Sequence, residues 1–488
     1  MSAGARPHGP MVERGAPRPA MGEGEMDRAA MLEAHHEKTL WVWWTVLLLG
    51  AWVAVAPFSF GYGTAVVEPS GGREVWLSLA DRVAAMRWSD LASGLLLIGL
   101  AWRALTPNRP MAMWGACLVG CWLTVAPVLF WSPSSAAYMN DTIVGMLVIA
   151  LTILVPGMPN MVAFMKMGGD TPEGWSYNPS SWPQRWIMIG LGFAGFVVSR
   201  YLAAYQLGYI DHVWDPFFGE GSRRVLDSKM SHSWPVSDAA LGAVAYTFEF
   251  LMGFMGSTSR WRTMPWMVTF FGILVLPLGF THILLVISQP VVVGAWCSLC
   301  LLAAAIMLPM LPLEVDEVIA MGQHMAKAKR AGRSTWEVFW KGGPAGEATE
   351  DERSPGLVEL PRRPRAVVDA STWGMSVPWT LAVSSALGLL LVFVPVAFGA
   401  AKPASDVARL GGLLVVTFSV IAMGEPVRAL RFANVLVALA VGTLAWILGG
   451  AGVVAQIVTT VVSVAIVMLS LPRGPKKETY GAWDRFVV

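Results

Sequence analysis

The chain has 488 residues, 55% of them hydrophobic and only 14% charged, with 24 tryptophans and a formal net charge of +2. A soluble domain cannot hide that much apolar surface, and the apolar residues come in long blocks rather than stripes, so the composition describes a polytopic membrane protein and gives no support to nucleic-acid binding. Four cysteines in this length exclude a disulfide scaffold, so any redox chemistry must be local.

Residues 1–39 carry charges, Pro and Gly throughout, have no apolar core of a secretory signal, and read as a disordered cytoplasmic tail. A helix needs about 20 apolar residues to cross the hydrocarbon. Twelve stretches meet or approach that length: 40–58, 89–105, 112–131, 141–157, 184–208, 236–256, 264–288, 291–313, 377–399, 405–424, 429–447 and 451–472. The expected fold class is an all-α polytopic membrane protein of about 12 transmembrane helices.

Lys and Arg placement gives the orientation. With the N-terminus inside, the inner connections hold Arg103 and Arg109, Lys166 and Arg185, Arg260 and Arg262, and Arg428 and Arg431. The hydrophilic stretch 314–376, with its basic cluster Lys327, Lys329, Arg330 and Arg333, is then inside as well, positioned to meet anionic lipid headgroups. The short connections 289–290 and 448–450 have neither Lys nor Arg. The long loops 58–88 and 209–235 run against the trend with three basic residues each, but both are also acidic. An even number of spans with both termini cytoplasmic satisfies this pattern.

Three pieces share a motif. "LLLGAWVAVAPFSFGYG" is followed by "WSDLASGLLLIGLAW", "CLVGCWLTVAPVLFW" by "MNDTIVGMLVIALTI", and "LGLLLVFVPVAFGAA" by "ASDVARLGGLLVVTF". In each, a helix reaches a Pro at the outer face, and an Asp then reads as the N-cap of a Gly-containing returning helix. Residues 429–472 are a degraded fourth copy. The pattern resembles the SPW-repeat family of bacterial membrane proteins, with Pro57, Pro127 and Pro395 where that family has Ser-Pro-Trp. These hairpins read as packing scaffold with no ionisable cluster at membrane depth. Cys117 and Cys121, flanked by Gly115 and Gly120, read as small packing residues.

The middle block differs. Four spans surround a polar loop, and the last opens with Cys297 and Cys300 in "VVVGAWCSLCLLAAA". At i and i+3 on a helix the two sulfurs share a face. At a helix start, the dipole favours thiolate, the species that attacks a disulfide or an electrophile. Zinc needs four N/S ligands as a rule, and no second CxxC or paired His completes such a site. Asp238 and Glu249 are carboxylates on one span, His282 lies inside the next, and Arg200 is expected to snorkel or to pair with Asp211 or Asp215.

"VLDSKMSHSWPVSDAALGAVAYTFEFLMG" and "WCSLCLLAAAIM" resemble the loop-to-helix signature and the active-site helix of the vitamin K epoxide reductase (VKOR) family, over about 130 residues. The resemblance implies a four-helix bundle between SPW-like hairpins. It places Cys300 toward a quinone, ubiquinone or menaquinone, and makes Cys297 the sulfur that exchanges with other thiols. Ser228 matches the family's loop serine, Asp238 falls where vertebrate members have a quinone-bonding Asn, and Gly242 and Tyr246 fit the same helix. The family's outer loop carries shuttle cysteines, whereas the position expected for one of them here is Ser222.

The organisation expected is a tail at 1–39, a repeat pair at 40–157, a VKOR-like domain at 183–315, a cytoplasmic linker at 316–376 and a second repeat region at 377–473. Two functional readings follow. One is a quinone-linked thiol oxidoreductase of a bacterial inner membrane, its CxxC near the extracytoplasmic face and served by a thioredoxin-like thiol protein. The other is a scaffold or quinone-binding module that keeps the bundle without turnover.

Overall fold

The computed structural model describes residues 21–64, 66–153, 155, 168–355 and 363–487. Long helices dominate: α1 (Met21–Ser59), α2 (Leu79–Ala104), α3 (Pro110–Leu129), α4 (Ser135–Ile153), α5 (Trp182–Gln206) and α6 (Asp238–Gly253). They continue with α7 (Pro265–Val292), α8 (Ser298–Arg330), α9 (Trp379–Ala397), α10 (Ala404–Ile421), α11 (Arg431–Ile447) and α12 (Val453–Ser470). Every expected span has its helix. Among the described residues eleven segments are long and apolar enough to cross a membrane; α6, with 16 residues, is the exception. Among the described residues the only β pairing is isolated bridges.

Three boundaries differ from expectation. The first helix begins at Met21, inside the segment read as a tail, whose residues 1–20 lie outside the described residues, as do Lys166 and Arg362. The span expected from 291 is split: α7 runs to Val292, Gly294 turns with φ +75°, and α8 starts at Ser298. The linker expected from 316 starts inside a continuous helix, because α8 runs on to Arg330. Its carboxylates there are buried and partnered: Glu317 takes two 2.6 Å bonds from Arg260, and Asp316 accepts from Tyr177 at 2.8 Å and Gln184 at 3.1 Å. Within α7, Pro277 lies in a π-helical turn, Leu274–Leu278, which accommodates the N–H that proline lacks.

The hairpins of the outer blocks pack through glycine. A Cβ on Gly94 would lie 2.6 Å from the Gly50 carbonyl, one on Gly145 2.7 Å from that of Gly120, and one on Gly388 2.6 Å from that of Gly412. Each pair lets two backbones touch where α1 meets α2, α3 meets α4 and α9 meets α10. The central domain, α5 to α8, holds the largest core, and α10 packs against its α7 and α8. A second cluster, including Trp131, Tyr138, Leu207 and Val236, joins the first block to α5 and α6.

Candidate functional site: a cysteine pair at the head of α8

Cys297 is the N-cap residue of α8, and its Sγ accepts from the Cys300 backbone N–H at 3.1 Å. The two sulfurs are bonded to each other, with Cα atoms 5.2 Å apart. The Cys297 N–H donates to Gln289 Oε1 at 3.2 Å, so the end of α7 fixes the backbone at the cap. Cys297 is fully buried and Cys300 is 9% exposed.

A loop closes over the pair. Residues 221–226 form a short helix, and a Cβ on Gly221 would collide with the carbonyl of Trp296, so only glycine fits there. Phe218 stacks on Trp296 beside it. The next residue, Ser222, places its Oγ 3.3 Å from Cys297 Sγ and 2.7 Å from Asp215 Oδ2. A hydroxyl has one proton, and the shorter contact with a charged acceptor takes it. The sulfur therefore faces an oxygen lone pair.

Asp215 organises this loop. It accepts from the N–H groups of Phe218 at 2.9 Å and Ser222 at 2.8 Å, and from the hydroxyl of Ser298 in the CxxC itself. Burial works against its charge, but the Ser298 and Ser222 hydroxyls and the Phe218 and Phe217 N–H groups outweigh it and hold the carboxyl well below the usual range. Arg200 does not pair with it. Its guanidinium lies over the Tyr138 ring at 4.4 Å, turned toward the first block.

Ser228 and Asp238 belong to a neighbouring network. Ser231 donates to Asp238 at 3.0 Å and its N–H reaches Ser228 Oγ at 3.4 Å. Gln206 of α5 adds a 2.6 Å bond to Asp238, while Ser237, not Asp238, caps α6. Arg73 clamps the same loop by donating to the carbonyls of Ser231 and Trp234, and its guanidinium lies over Trp131. Tyr246 stands apart from this network, donating at 3.0 Å to the Ala303 carbonyl, one turn beyond Cys300. Three residues deeper, Glu249 is fully buried and neither carboxyl oxygen has a partner among the described residues.

Sequence reasoning missed Asp215, Ser298 and Gln289 as parts of the site. The signal for Asp215 was present in "DPFFGEGS", since Asp before Pro and two glycines marks a side-chain-capped turn.

Fold and site together define a polytopic membrane protein with a bonded cysteine pair at one end of a helix bundle. Residues 186–315 match the model of the Vitamin K epoxide reductase family, so the chain carries a domain of that family in its middle, which supports a role of the membrane thiol-oxidoreductase type. The match spans α5 to the first half of α8 and does not reach the flanking hairpins, whose likeness to SPW repeats stays a resemblance. Neither the curated proteins nor the solved structures contain a match.

Proposed function

We propose that the protein is a thiol–disulfide oxidoreductase that joins extracytoplasmic thiols to a membrane quinone through Cys297 and Cys300. The observation that carries this is the bonded pair at the N-cap of α8 inside the VKOR-family domain. When Cys297 is a thiolate, the Cys300 N–H and the helix start favour its charge, so it is the attacking sulfur. Its complete burial under the Ser222 loop means that a partner thiol reaches it only when that loop lifts. The basic residues gathered at the other connections support an extracytoplasmic site for the CxxC.

The residues of the loop and of α6 fit a quinone at one point. Ser228 gives its proton to the Val225 carbonyl and Tyr246 to Ala303, so neither offers a free donor, whereas the Glu249 carboxyl is unpartnered. A quinone supplies an acceptor for the two electrons and two protons released when two thiols become a disulfide. Glu249 would hold a proton on that route, and Asp238 and Ser228 would hold the loop.

A cysteine-free loop over a buried Cys297 favours the second reading, a bundle without turnover. Thiol trapping separates the two. The reduced protein is mixed with excess ubiquinone or menaquinone and alkylated over time. Conversion to the Cys297–Cys300 disulfide supports the oxidoreductase; thiols that persist as they do without quinone refute it.

A further inference from the structure

The repeat aspartates of the first block are not helix caps. Asp90 lies in the middle of α2 and Asp141 two turns into α4; both are fully buried, and their carboxyl groups are within hydrogen-bonding reach of each other. The scaffold reading, with no ionisable cluster at membrane depth, is corrected by this pair. The hairpin geometry explains why they meet. Each Asp stands four residues before the glycine of its hairpin crossing, Gly94 and Gly145, and so on the same face of its helix as that glycine.

The surroundings are neutral. Tyr62, from the turn after α1, donates to Asp90 Oδ2. Asn140 donates to Asp141 Oδ1 at 3.2 Å and is itself oriented by the Trp52 indole N–H at 2.7 Å. Among the described residues no Lys or Arg is paired with either carboxyl; Arg87, against Gly63, is exposed. Two of their oxygens, Asp90 Oδ1 and Asp141 Oδ2, have no donor among the described residues. Two adjacent carboxylates cannot both stay ionised in such surroundings, because neither water nor a cation offsets their charge and each repels the other.

We propose that Asp90 and Asp141 form a proton-binding site, in which one exchangeable proton is shared between the two carboxyl groups and ties α2 to α4 across the four-helix block, where each helix packs on α1 and α3. The third repeat shows the contrast: Asp406 lies 3.7 Å from Lys402, and its neighbouring hairpin starts "AGVVAQ" with no carboxylate to meet it. The dyad is therefore a property of the first block, independent of the cysteine chemistry.

Infrared spectroscopy of the full chain in detergent tests the proposal through the C=O stretch of a protonated buried carboxyl. That band is expected at neutral pH, to fade as the pH is raised, and to vanish in both Asp90→Asn and Asp141→Asn. Each Asn amide replaces the shared proton as donor, so these variants should keep the thermal midpoint of the parent. A hydrophobic carbodiimide, which couples only to protonated carboxyls, is expected to label Asp90 or Asp141 at a rate that sodium leaves unchanged. Absence of a band that either substitution removes overturns the proposal. So does sodium protection at constant pH, which would make the pair a cation site.

Discussion

Ser222 Oγ lies 3.3 Å from the Sγ of Cys297, the sulfur that caps α8. The loop thus presents a hydroxyl at the position from which a third sulfur would attack the disulfide. Exchange needs only a thiolate in reach of a disulfide sulfur, and the backbone here already provides the approach. In Ser222→Cys, the introduced sulfur is expected to bond to Cys297 in a measurable share of molecules, freeing Cys300 for alkylation. Non-reducing peptide maps check it. If every molecule keeps the Cys297–Cys300 bond at exchange equilibrium, Ser222 does not occupy the shuttle position.

Asp215 ties Ser222, Ser298 and the loop backbone together, and its carboxyl is held well below the usual range. A lowered folded-state value stabilises the loop fully above the unfolded carboxyl value of about 4, and that stability is lost as the pH falls toward the folded value. Reduction of the disulfide by a phosphine should therefore be slow and flat from neutral pH down to about 4, then faster as pH falls further. Asp215→Asn should reduce faster throughout and lose the acid-side rise. A parent profile that climbs steadily from neutral pH would show that the loop is not gated by Asp215.

The spans and the cysteine pair were legible because each is written locally: some 20 apolar residues make a crossing helix, and CxxC places two sulfurs on one face. Asp215 was not, because its importance rests on meeting Ser298 from 83 positions away. Asp90 and Asp141 were misread for a related reason. An Asp near the start of an apolar run reads as a cap, and only the crossing of two hairpins shows that these two face each other. Asp316 and Glu317 were absorbed into a linker, since a run of acids after an apolar segment resembles an exit from the membrane. Their partners on α5 and before α7 carried no signal at that distance.

Arg260 and Glu317 form a bidentate pair in which both side chains are nearly inaccessible to solvent. Removing one partner of a buried pair leaves the other charge uncompensated, at a cost of about 3–5 kcal/mol. Glu317→Ala is expected to lower the stability of the detergent-solubilised protein by that amount. Replacing both residues by apolar ones of similar volume should cost less. Denaturation curves of the three proteins decide it; equal losses for the single and double variants would show that packing, not charge, sets the effect.

Gly145 and Gly99 separate helix crossing from helix propensity. An added Cβ at Gly145 would lie 2.7 Å from the Gly120 carbonyl and 2.8 Å from Thr124, neither of which can retreat without parting α3 from α4. A Cβ at Gly99 in α2 would meet nothing within 4 Å among the described residues. Gly145→Ala should therefore destabilise by about 1–3 kcal/mol through overpacking. Gly99→Ala should be neutral or stabilising by up to about 1 kcal/mol through propensity alone. Thermal midpoints measure the contrast, and disulfide reduction rates should be unchanged in both variants, since neither glycine touches the loop over Cys297. Equal midpoints for the two would mean that the hairpins do not depend on backbone contact at the glycine pairs.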